Sequence, residues 1–297
     1  MATDRTANAG REGTGEERGG ATVANDLRER ATPEPRVDEE LPDTCLSFTI
    51  RGPWGHFRRI EGNLVKQTYR IIPRTTVAGM IAAMLGYDRN SYYGLFDHEH
   101  ADIAVEPLHE LRTLGLAQNV LATAEADGDF ETIGKSDLLK IEVPESNRAR
   151  KQHNFEVLAD PAYRIDIRLA SEPAYTTLRD LLDERAAVYP PSLGLSEFLA
   201  RVEYHGEFEV ETVADAETVT AVDSAVPDAE DNILPPVDGE HRVERSPSAM
   251  EMHAESDDVA YRRTTDYTAY SYRPDAGELE VRDASASRVD GRTVMFC

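Results

Sequence analysis

The chain has 297 residues, 40% of them hydrophobic, and a formal net charge of −24. This length allows one large domain or two small ones with a sizeable core. No run of about 18 apolar residues occurs, and the N-terminus lacks the basic-then-apolar pattern of a signal peptide, so we expect a cytoplasmic protein without membrane contact. Its two cysteines, Cys45 and Cys297, form no C-x-x-C pair, which argues against a disulfide framework and a cysteine zinc site.

The acidic charge argues against nucleic-acid binding, because carboxylates repel phosphates. The composition weakens this objection, since only four of the 32 basic residues are lysine and 28 are arginine. An acidic excess with few lysines is typical of halophilic proteins, which work in molar salt. At about 1 M salt the Debye length falls to about 3 Å, so the charge close to a ligand matters more than the net charge.

Charge and composition divide the chain into four parts. Residues 1–43 carry 6 basic and 11 acidic side chains and few large apolar ones, which predicts a disordered acidic leader. Residues 44–211 are more apolar and predict the folded domain. Residues 206–297 carry 8 basic and 22 acidic side chains, most of the acid before residue 259. We therefore expect an acidic loop or insertion over 212–258 and a C-terminal segment over 259–297 that can return to the core.

The hydrophobic pattern of the folded domain predicts strands and two helices. Residues 46–50 alternate apolar and polar side chains, as a half-buried strand does. Pro73 can open a helix that ends at a glycine cap, Gly86, and a second helix begins near Pro173. The other extended segments are 66–71, 111–121, 135–143, 162–169 and 201–210. This order predicts an α+β fold, compatible with a ferredoxin-like sheet that has helices on one face.

One basic island stands out from the acidic chain. Residues 51–74 contain six basic side chains and one acid, Glu61. Four aromatic rings lie among them: Trp54, His56, Phe57 and Tyr69. Arginine binds phosphate bidentately and flat rings stack on unpaired bases, so the mixture suits single-stranded RNA. The alternative is that the rings pack in the core and the arginines pair with nearby carboxylates.

Two motifs carry a resemblance to a known family. The first is a strand that ends in Arg-Gly-x-x-Gly-x-Phe-Arg at 51–58, followed by Thr-Tyr-Arg-Ile-Ile-Pro-Arg-Thr-Thr-Val-Ala-Gly from residue 68. The second is Tyr-Pro-Pro-Ser-Leu-Gly-Leu-Ser-Glu-Phe-Leu-Ala at 189–200. In this order they resemble the CRISPR-associated protein 5 family, the repeat-associated RNA-binding proteins of the type I surveillance complex, Cascade. The resemblance covers roughly 44–211, and the type I-B branch is the most similar.

The resemblance implies a fold, a ligand and partners. The fold is a ferredoxin-like (RRM-like) domain with a β-hairpin thumb, which would span about 117–160, together with the acidic insertion and a small C-terminal extension. The ligand is the 5′ handle of mature CRISPR RNA in antiviral defence, and the partners are the backbone and large subunits of Cascade. No cofactor is implied. The basic side chains of the thumb segment can grip RNA or can belong to a solvated loop; they are Lys135, Lys140, Arg148, Arg150, Lys151 and His153.

The hypothesis assigns roles to individual residues. Arginines at the base of the sheet hold phosphates, Trp54, Phe57 or His56 stacks on bases, and the thumb closes over them. Gly194 either lets backbone N–H groups approach a phosphate or forms a tight turn. The complete predicted RNA-binding set is Arg51, Trp54, His56, Phe57, Arg58, Arg59, Tyr69, Arg74, Lys135, Arg148, Arg150, Lys151, His153 and Gly194.

Three other hypotheses remain open. One branch of the resembled family cuts precursor RNA, and His56, Lys66, Tyr69 or His153 could act as acid or base, although we expect no catalytic activity. The acidic C-terminal part could make the chain a protein–protein adaptor. The run at 97–102 contains His98 and His100 between aspartates, which could hold a metal but more often forms a solvated turn.

Overall fold

The structure is a computed structural model that describes residues 40–59, 65–121, 150–213, 219–256, 259–282 and 285–297. Residues 1–39 of the leader predicted over 1–43, most of the thumb segment and the strand predicted at 135–143 lie outside these residues. The described helices are α1 (Arg74–Leu85), α2 (Glu172–Asp183) and two 3₁₀ turns at Tyr93–Phe96 and Glu230–Asn232. In chain order the strands are β1 (Thr44–Arg51), β2 (Trp54–Gly55), β3 (Phe57–Arg58), β4 (Val65–Lys66), β5 (Thr68–Tyr69), β6 (Ala101–Pro107), β7 (Arg112–Leu121), β8 (Arg150–Ala159), β9 (Ala162–Leu169), β10 (Arg201–Glu209), β11 (Glu211–Thr212), β12 (Val219–Val222), β13 (Val226–Pro227), β14 (Arg242–Ser256), β15 (Val259–Tyr272), β16 (Leu279–Arg282), β17 (Ser287–Val289) and β18 (Arg292–Val294).

The main sheet has four antiparallel strands in the order β10–β1–β9–β6. In the chain, α1 lies between β1 and β6, and α2 lies between β9 and β10. Leu46, Phe48 and Ile50 of β1 are fully buried in one cluster with the apolar residues of both helices. The sheet therefore carries both helices on one face, and its core lies between them.

Both predicted helices are confirmed, with the expected end signals. Pro73 is the N-cap of α1, and Gly86 ends the helix in the left-handed region at φ 83°, where its N–H donates back to the last turn. Ser171 caps α2 by accepting a hydrogen bond from the N–H of Ala174, and Pro173 lies in the first turn. Neither α-helix among the described residues is long and apolar enough to cross a membrane.

Two ribbons of paired strands extend the fold. β7 and β8 pair antiparallel from Arg112 opposite Ala159 to Leu121 opposite Arg150. β14 and β15 pair over almost their whole lengths, with shifts of register at Pro247–Met250 and near Ser256. The base of the first ribbon also receives β2 and β4, which pair with the C-terminal half of β8.

The segment predicted as an acidic loop or insertion over 212–258 is not a loop throughout, because the strands β12, β13 and β14 lie in it. The strand β14 escaped prediction because its buried face is polar. Glu244, Ser246 and Ser248 are each at most 6% exposed, so the apolar alternation that marks a half-buried strand is missing. A segment with polar residues on both faces and an acidic composition resembles a solvated loop, so the sequence predicted a loop here instead of a strand.

Residues 285–297 pack against the main sheet in two ways: Val289 and Val294 lie against its face opposite the helices, and Cys297 reaches the edge strand β6. Ile103 of β6 and Cys297 exchange two backbone hydrogen bonds of 3.0 and 3.1 Å. Arg292 of β18 reaches the buried carboxylate of Asp166 at 2.8 Å and Glu106 at 2.7 Å. The hydroxyl of Ser47 donates to Asp166 as well. An internal ion-pair network therefore fills the middle of a sheet face that would otherwise be open.

Candidate nucleic-acid interface

The structure brings the two motifs of the sequence into direct contact. The N–H of His56, in the turn after β1, donates to the carbonyl of Leu193 in the 189–200 segment at 3.0 Å. The ring of His56 contacts the carbonyl of Glu156 on the β7–β8 ribbon at 2.8 Å. Two chain segments and the base of the ribbon therefore meet at one turn.

Glycines allow these backbones to approach. A Cβ on Gly52 would lie 2.9 Å from the carbonyl oxygen of Leu199, and a Cβ on Gly55 would lie 3.1 Å from Pro161. Gly194 has φ +95°, and a Cβ there would overlap the carbonyl group of His56. Packing against protein backbone accounts for Gly194 as a tight turn, which leaves its predicted approach to phosphate without support from the geometry.

Three of the four rings expected to contact RNA are buried, which corrects the stacking prediction for them. Phe57 and His56 are 2% and 1% exposed, and Tyr69 is 8% exposed. Phe57 and Tyr69 face each other across the β3–β5 pair and belong to the main core. Only Trp54 of this group is accessible, at 39%. Large apolar rings next to a strand end gain more from burial than from solvent exposure, which explains the outcome.

His56 occupies a desolvated position. Burial lowers the pKa of His56, and the nearby Arg58 lowers it further, while the hydrogen bond to Glu156 opposes the shift. Its Nε2 has no hydrogen-bond partner among the described residues. The ring packs edge-on against Phe155 at 5.2 Å between centroids. His56 is therefore a neutral structural ring that joins the turn to the ribbon.

Arg74 is the clearest correction among the predicted phosphate ligands. Its side chain is 1% exposed at the start of α1. Its guanidinium donates to backbone carbonyls of five residues at 2.5–3.0 Å, which are Phe96, Asp97, Ala101, Ser248 and Cys297. A guanidinium has five N–H donors, so this shell leaves none for a phosphate.

The neighbouring Arg70 is also engaged within the protein. Its guanidinium lies 3.4 Å from Glu244 of β14 and 3.8 Å from Glu156 of β8. Glu244 also accepts the backbone N–H groups of Arg70 and Ile71. The sequence of residues 51–74 does not predict these two ion pairs, because both carboxylates lie on strands far along the chain.

Three cations of the island differ from Arg70 and Arg74, and we call them the basic strip: Arg58, Arg59 and Lys66. Arg58 is exposed, and Arg59 and Lys66 are half-buried. Within the described part of the chain, no carboxylate forms an ion pair with any of them. The guanidinium carbon of Arg59 lies 5.1 Å from the centre of the Tyr69 ring, a cation–π contact that positions this half-buried cation. Arg58 pairs in register with Thr68, and Lys66 pairs with Phe155 of the ribbon, so the strip follows the ribbon base.

Three of the other predicted contacts, Arg150, Lys151 and His153, lie on the described part of the ribbon. Lys135 and Arg148 lie outside the described residues. Arg150 and Lys151 are the first residues of β8, opposite Leu121 and Val120. The half-buried His153 follows them, and its ring lies 6.4 Å from that of Phe155. The backbone of β8 therefore leads from Arg150 down to the contacts of His56.

Sequence reasoning missed Arg201, the first residue of β10. It is exposed and lies directly opposite Arg51 in the main sheet. Arg51 is exposed too and has a long ion pair of 3.8 Å with Glu203. The signal was absent from the local sequence, because Arg201 lies far from the basic island and only strand pairing joins it to Arg51.

The run at 97–102 has structural contacts of its own. His100 contacts Asp97 at 2.7 Å, and His98 turns away to Ser248 at 3.2 Å. Among the described residues, no group of three or more His, Cys, Asp or Glu side chains is arranged to hold a metal ion.

Comparisons with known proteins point to one family. A family model described as CRISPR-associated protein (Cas_Cas5) matches residues 45–273. No curated protein matches the sequence. A solved structure titled CRISPR RNA-guided surveillance complex has 16% identity and a TM-score of 0.44, covering 80% of this chain and 91% of its own.

Two other solved structures show similar coverage. One, titled as a CRISPR-associated protein, has 11% identity and a TM-score of 0.34, covering 81% of this chain and 92% of its own. A type III-B Cmr-beta complex bound to cognate target RNA and AMPPnP has 10% identity and a TM-score of 0.38, covering 79% and 86%. All three TM-scores are below 0.5, and the family model over residues 45–273 is the match that identifies the family.

Proposed function

The chain belongs to the Cas5 family of CRISPR-associated proteins, and from this membership we propose that it is a non-catalytic subunit of a CRISPR surveillance complex that binds the 5′ handle of CRISPR RNA. The observation that carries the proposal is the basic strip. Arg58, Arg59 and Lys66 lie without carboxylate partners among the described residues of a chain with a net charge of −24. Cations left accessible in such a chain suit an anionic ligand.

We further propose that the main sheet with α1 and α2 is a ferredoxin-like domain and that the β7–β8 ribbon is its thumb. The strand order β10–β1–β9–β6, with a helix after the first and third sheet strands, supports the first assignment. The pairing of β7 with β8 over 112–121 and 150–159 supports the second. In this arrangement Trp54 and the basic strip lie where the thumb leaves the domain, so a single strand can pass between them.

The proposal of binding without cleavage rests on the burial of two of the four candidate acids and bases, His56 and Tyr69. His56 and Tyr69 are buried, so neither reaches a ribose hydroxyl on the outside of the turn. Burial also lowers the pKa of His56, so its ring is neutral. A neutral imidazole can act as a base, but this one is shielded from an RNA substrate. The partners of the proposed complex are the guide RNA and the backbone and large subunits.

The test is the double charge reversal Arg58→Glu/Arg59→Glu in the tagged full chain, expressed with the other subunits. Each charge-assisted hydrogen bond contributes about 1.5–3 kcal/mol, so two reversals are expected to lower guide RNA recovery at least about a hundredfold. The measurement is sequencing and quantification of copurified RNA. The control is Arg185→Glu/Arg282→Glu, which makes the same charge change at two exposed arginines away from the strip. Normal amounts of guide RNA on the Arg58/Arg59 variant would contradict the assignment.

A further inference from the structure

Two arginines stand opposite each other at one end of the main sheet. Arg51, the last residue of β1, is the register partner of Arg201, the first residue of β10. Directly opposite residues of an antiparallel pair project from the same face, and like charges in this position destabilise the sheet. Both side chains are exposed. The fold thus accepts a repulsive pair in a position where sheets usually place compatible residues.

The two side chains project from the face opposite the helices. Ile50, the neighbour of Arg51, is buried in the core beneath the helices, and successive strand residues point to opposite faces. The middle of the same face is filled by Arg292 and Asp166. The Arg51 side chain, in contrast, is 58% exposed. The arginine pair therefore occupies the accessible end of a face that is internally neutralised elsewhere.

Among the described residues, a single carboxylate pairs with these two arginines. Glu203 lies 3.8 Å from Arg51, and its side chain is 62% exposed, so this ion pair is weak. No other carboxylate of the described residues forms an ion pair with Arg51 or Arg201. One exposed carboxylate against two guanidinium groups leaves the sheet end positive.

Backbone packing fixes the relative position of the two arginines. A Cβ on Gly52 would lie 2.9 Å from the carbonyl oxygen of Leu199, so the chain after Arg51 runs closely beside the chain before Arg201. Two guanidinium groups on a fixed frame match the several acceptor oxygens of one phosphate. Trp54, three residues after Arg51, is 39% exposed and offers a ring for a neighbouring base.

We propose that Arg51 and Arg201 together bind one phosphate of single-stranded RNA at the open end of the main sheet. This inference rests on the proposed function and adds a residue outside the basic island, Arg201, to the binding surface. It also extends that surface from the ribbon base onto the sheet itself. The repulsion between the two arginines is then relieved when the ligand is bound.

The test counts phosphates through the salt dependence of binding. The full chain, its Arg51→Gln and Arg201→Gln variants and the double variant are titrated with a short 5′-labelled single-stranded RNA over a range of KCl concentrations. Each phosphate neutralised on a single strand contributes about 0.7 to the slope of log K against log salt. We expect each single variant to bind more weakly with an unchanged slope, because the remaining arginine still neutralises the phosphate. The double variant should lose about 0.7.

The alternative outcomes separate this inference from the proposed function. An unchanged slope in the double variant would overturn the shared phosphate, and so would a loss of about 1.4, which would mean two separate phosphates. Arg282→Gln, on the exposed face of β16, is the matched control. An equal decrease of the salt slope in this variant would show that the effect comes from the net charge and not from a phosphate site. A parent chain that binds no RNA would overturn the proposed function as well. Urea unfolding of each variant checks that the fold is intact.

Discussion

Arg58 and Arg74 belong to the same basic island, yet the fold uses them in opposite ways. Arg74 is 1% exposed and donates to five backbone carbonyls. Arg58 is exposed at the ribbon base and has no carboxylate partner within the described part of the chain. An arginine in this part of the sequence can therefore either contact a ligand or hydrogen-bond to carbonyl groups inside the protein. The partners that decide between them come from distant segments.

The replacement Arg74→Met is expected to have the largest effect on stability. It keeps much of the side-chain volume but removes the guanidinium donors from five carbonyls, of which those of Asp97 and Cys297 still accept backbone N–H groups. The other three lose a buried donor, and each unsatisfied polar group costs about 1–3 kcal/mol before relaxation. We expect a loss of at least about 3 kcal/mol in the free energy of unfolding, measured by urea denaturation. An Arg74→Met variant with the unfolding free energy of the parent chain but without bound RNA would contradict the structural role of Arg74. It would show instead that Arg74 binds RNA.

The replacement Gly194→Ala should have an intermediate effect, because it strains the turn without removing a charge. The residue has φ +95°, and its new Cβ would meet the carbonyl of His56. Strain of this kind costs about 1–3 kcal/mol, and the displaced turn should weaken RNA binding as well. Gly94→Ala is the control, since no atom lies within 4 Å of its Cβ position. Equal unfolding free energies for the two variants would show that the turn is not held as described.

The replacement Arg58→Ala should have the smallest effect on stability and a clear effect on binding. An exposed side chain without an ion pair contributes within about 0.5 kcal/mol to folding. Its RNA affinity should nevertheless fall about tenfold or more, in line with one charge-assisted contact. The measurements are urea denaturation and RNA titration of the same preparation. A loss of unfolding free energy comparable to that of Arg74→Met would show that Arg58 stabilises the fold, as Arg74 does, and would contradict its role in RNA binding.

The sequence predicted the parts of the fold that depend on local pattern. Apolar spacing, Pro73 and Gly86 located α1, and alternation located β1, because these signals act within a few residues. The strand β14 was missed because its buried face carries Glu244 and serines. Burial of Glu244 is tolerated only because the backbone N–H groups and guanidinium of Arg70 meet it, a contact between distant segments.

The candidate site was predictable in region but not in residue. The turn after β1 and the segment around Gly194, the two parts of the chain that carry the family resemblance, do meet through the hydrogen bond from His56 to Leu193. Whether each ring and each arginine is buried or exposed, however, depends on distant partners such as Glu156 and Leu193, which no local sequence pattern reveals. Arg201 shows the converse case, since it joins Arg51 only through strand register.

The carbonyl shell of Arg74 also bears on how the chain is synthesised. Its acceptors are spread from Phe96 to Cys297, so the shell is incomplete until residue 297 has left the ribosome. Until then the guanidinium has to remain hydrated, and the start of α1 cannot close over it without leaving N–H groups unpaired. The main sheet has the same requirement, since β1 waits for β10 to be translated. The nascent chain is therefore expected to complete this core only after residue 297 has emerged, in a step that couples β1 and α1 to residues 285–297.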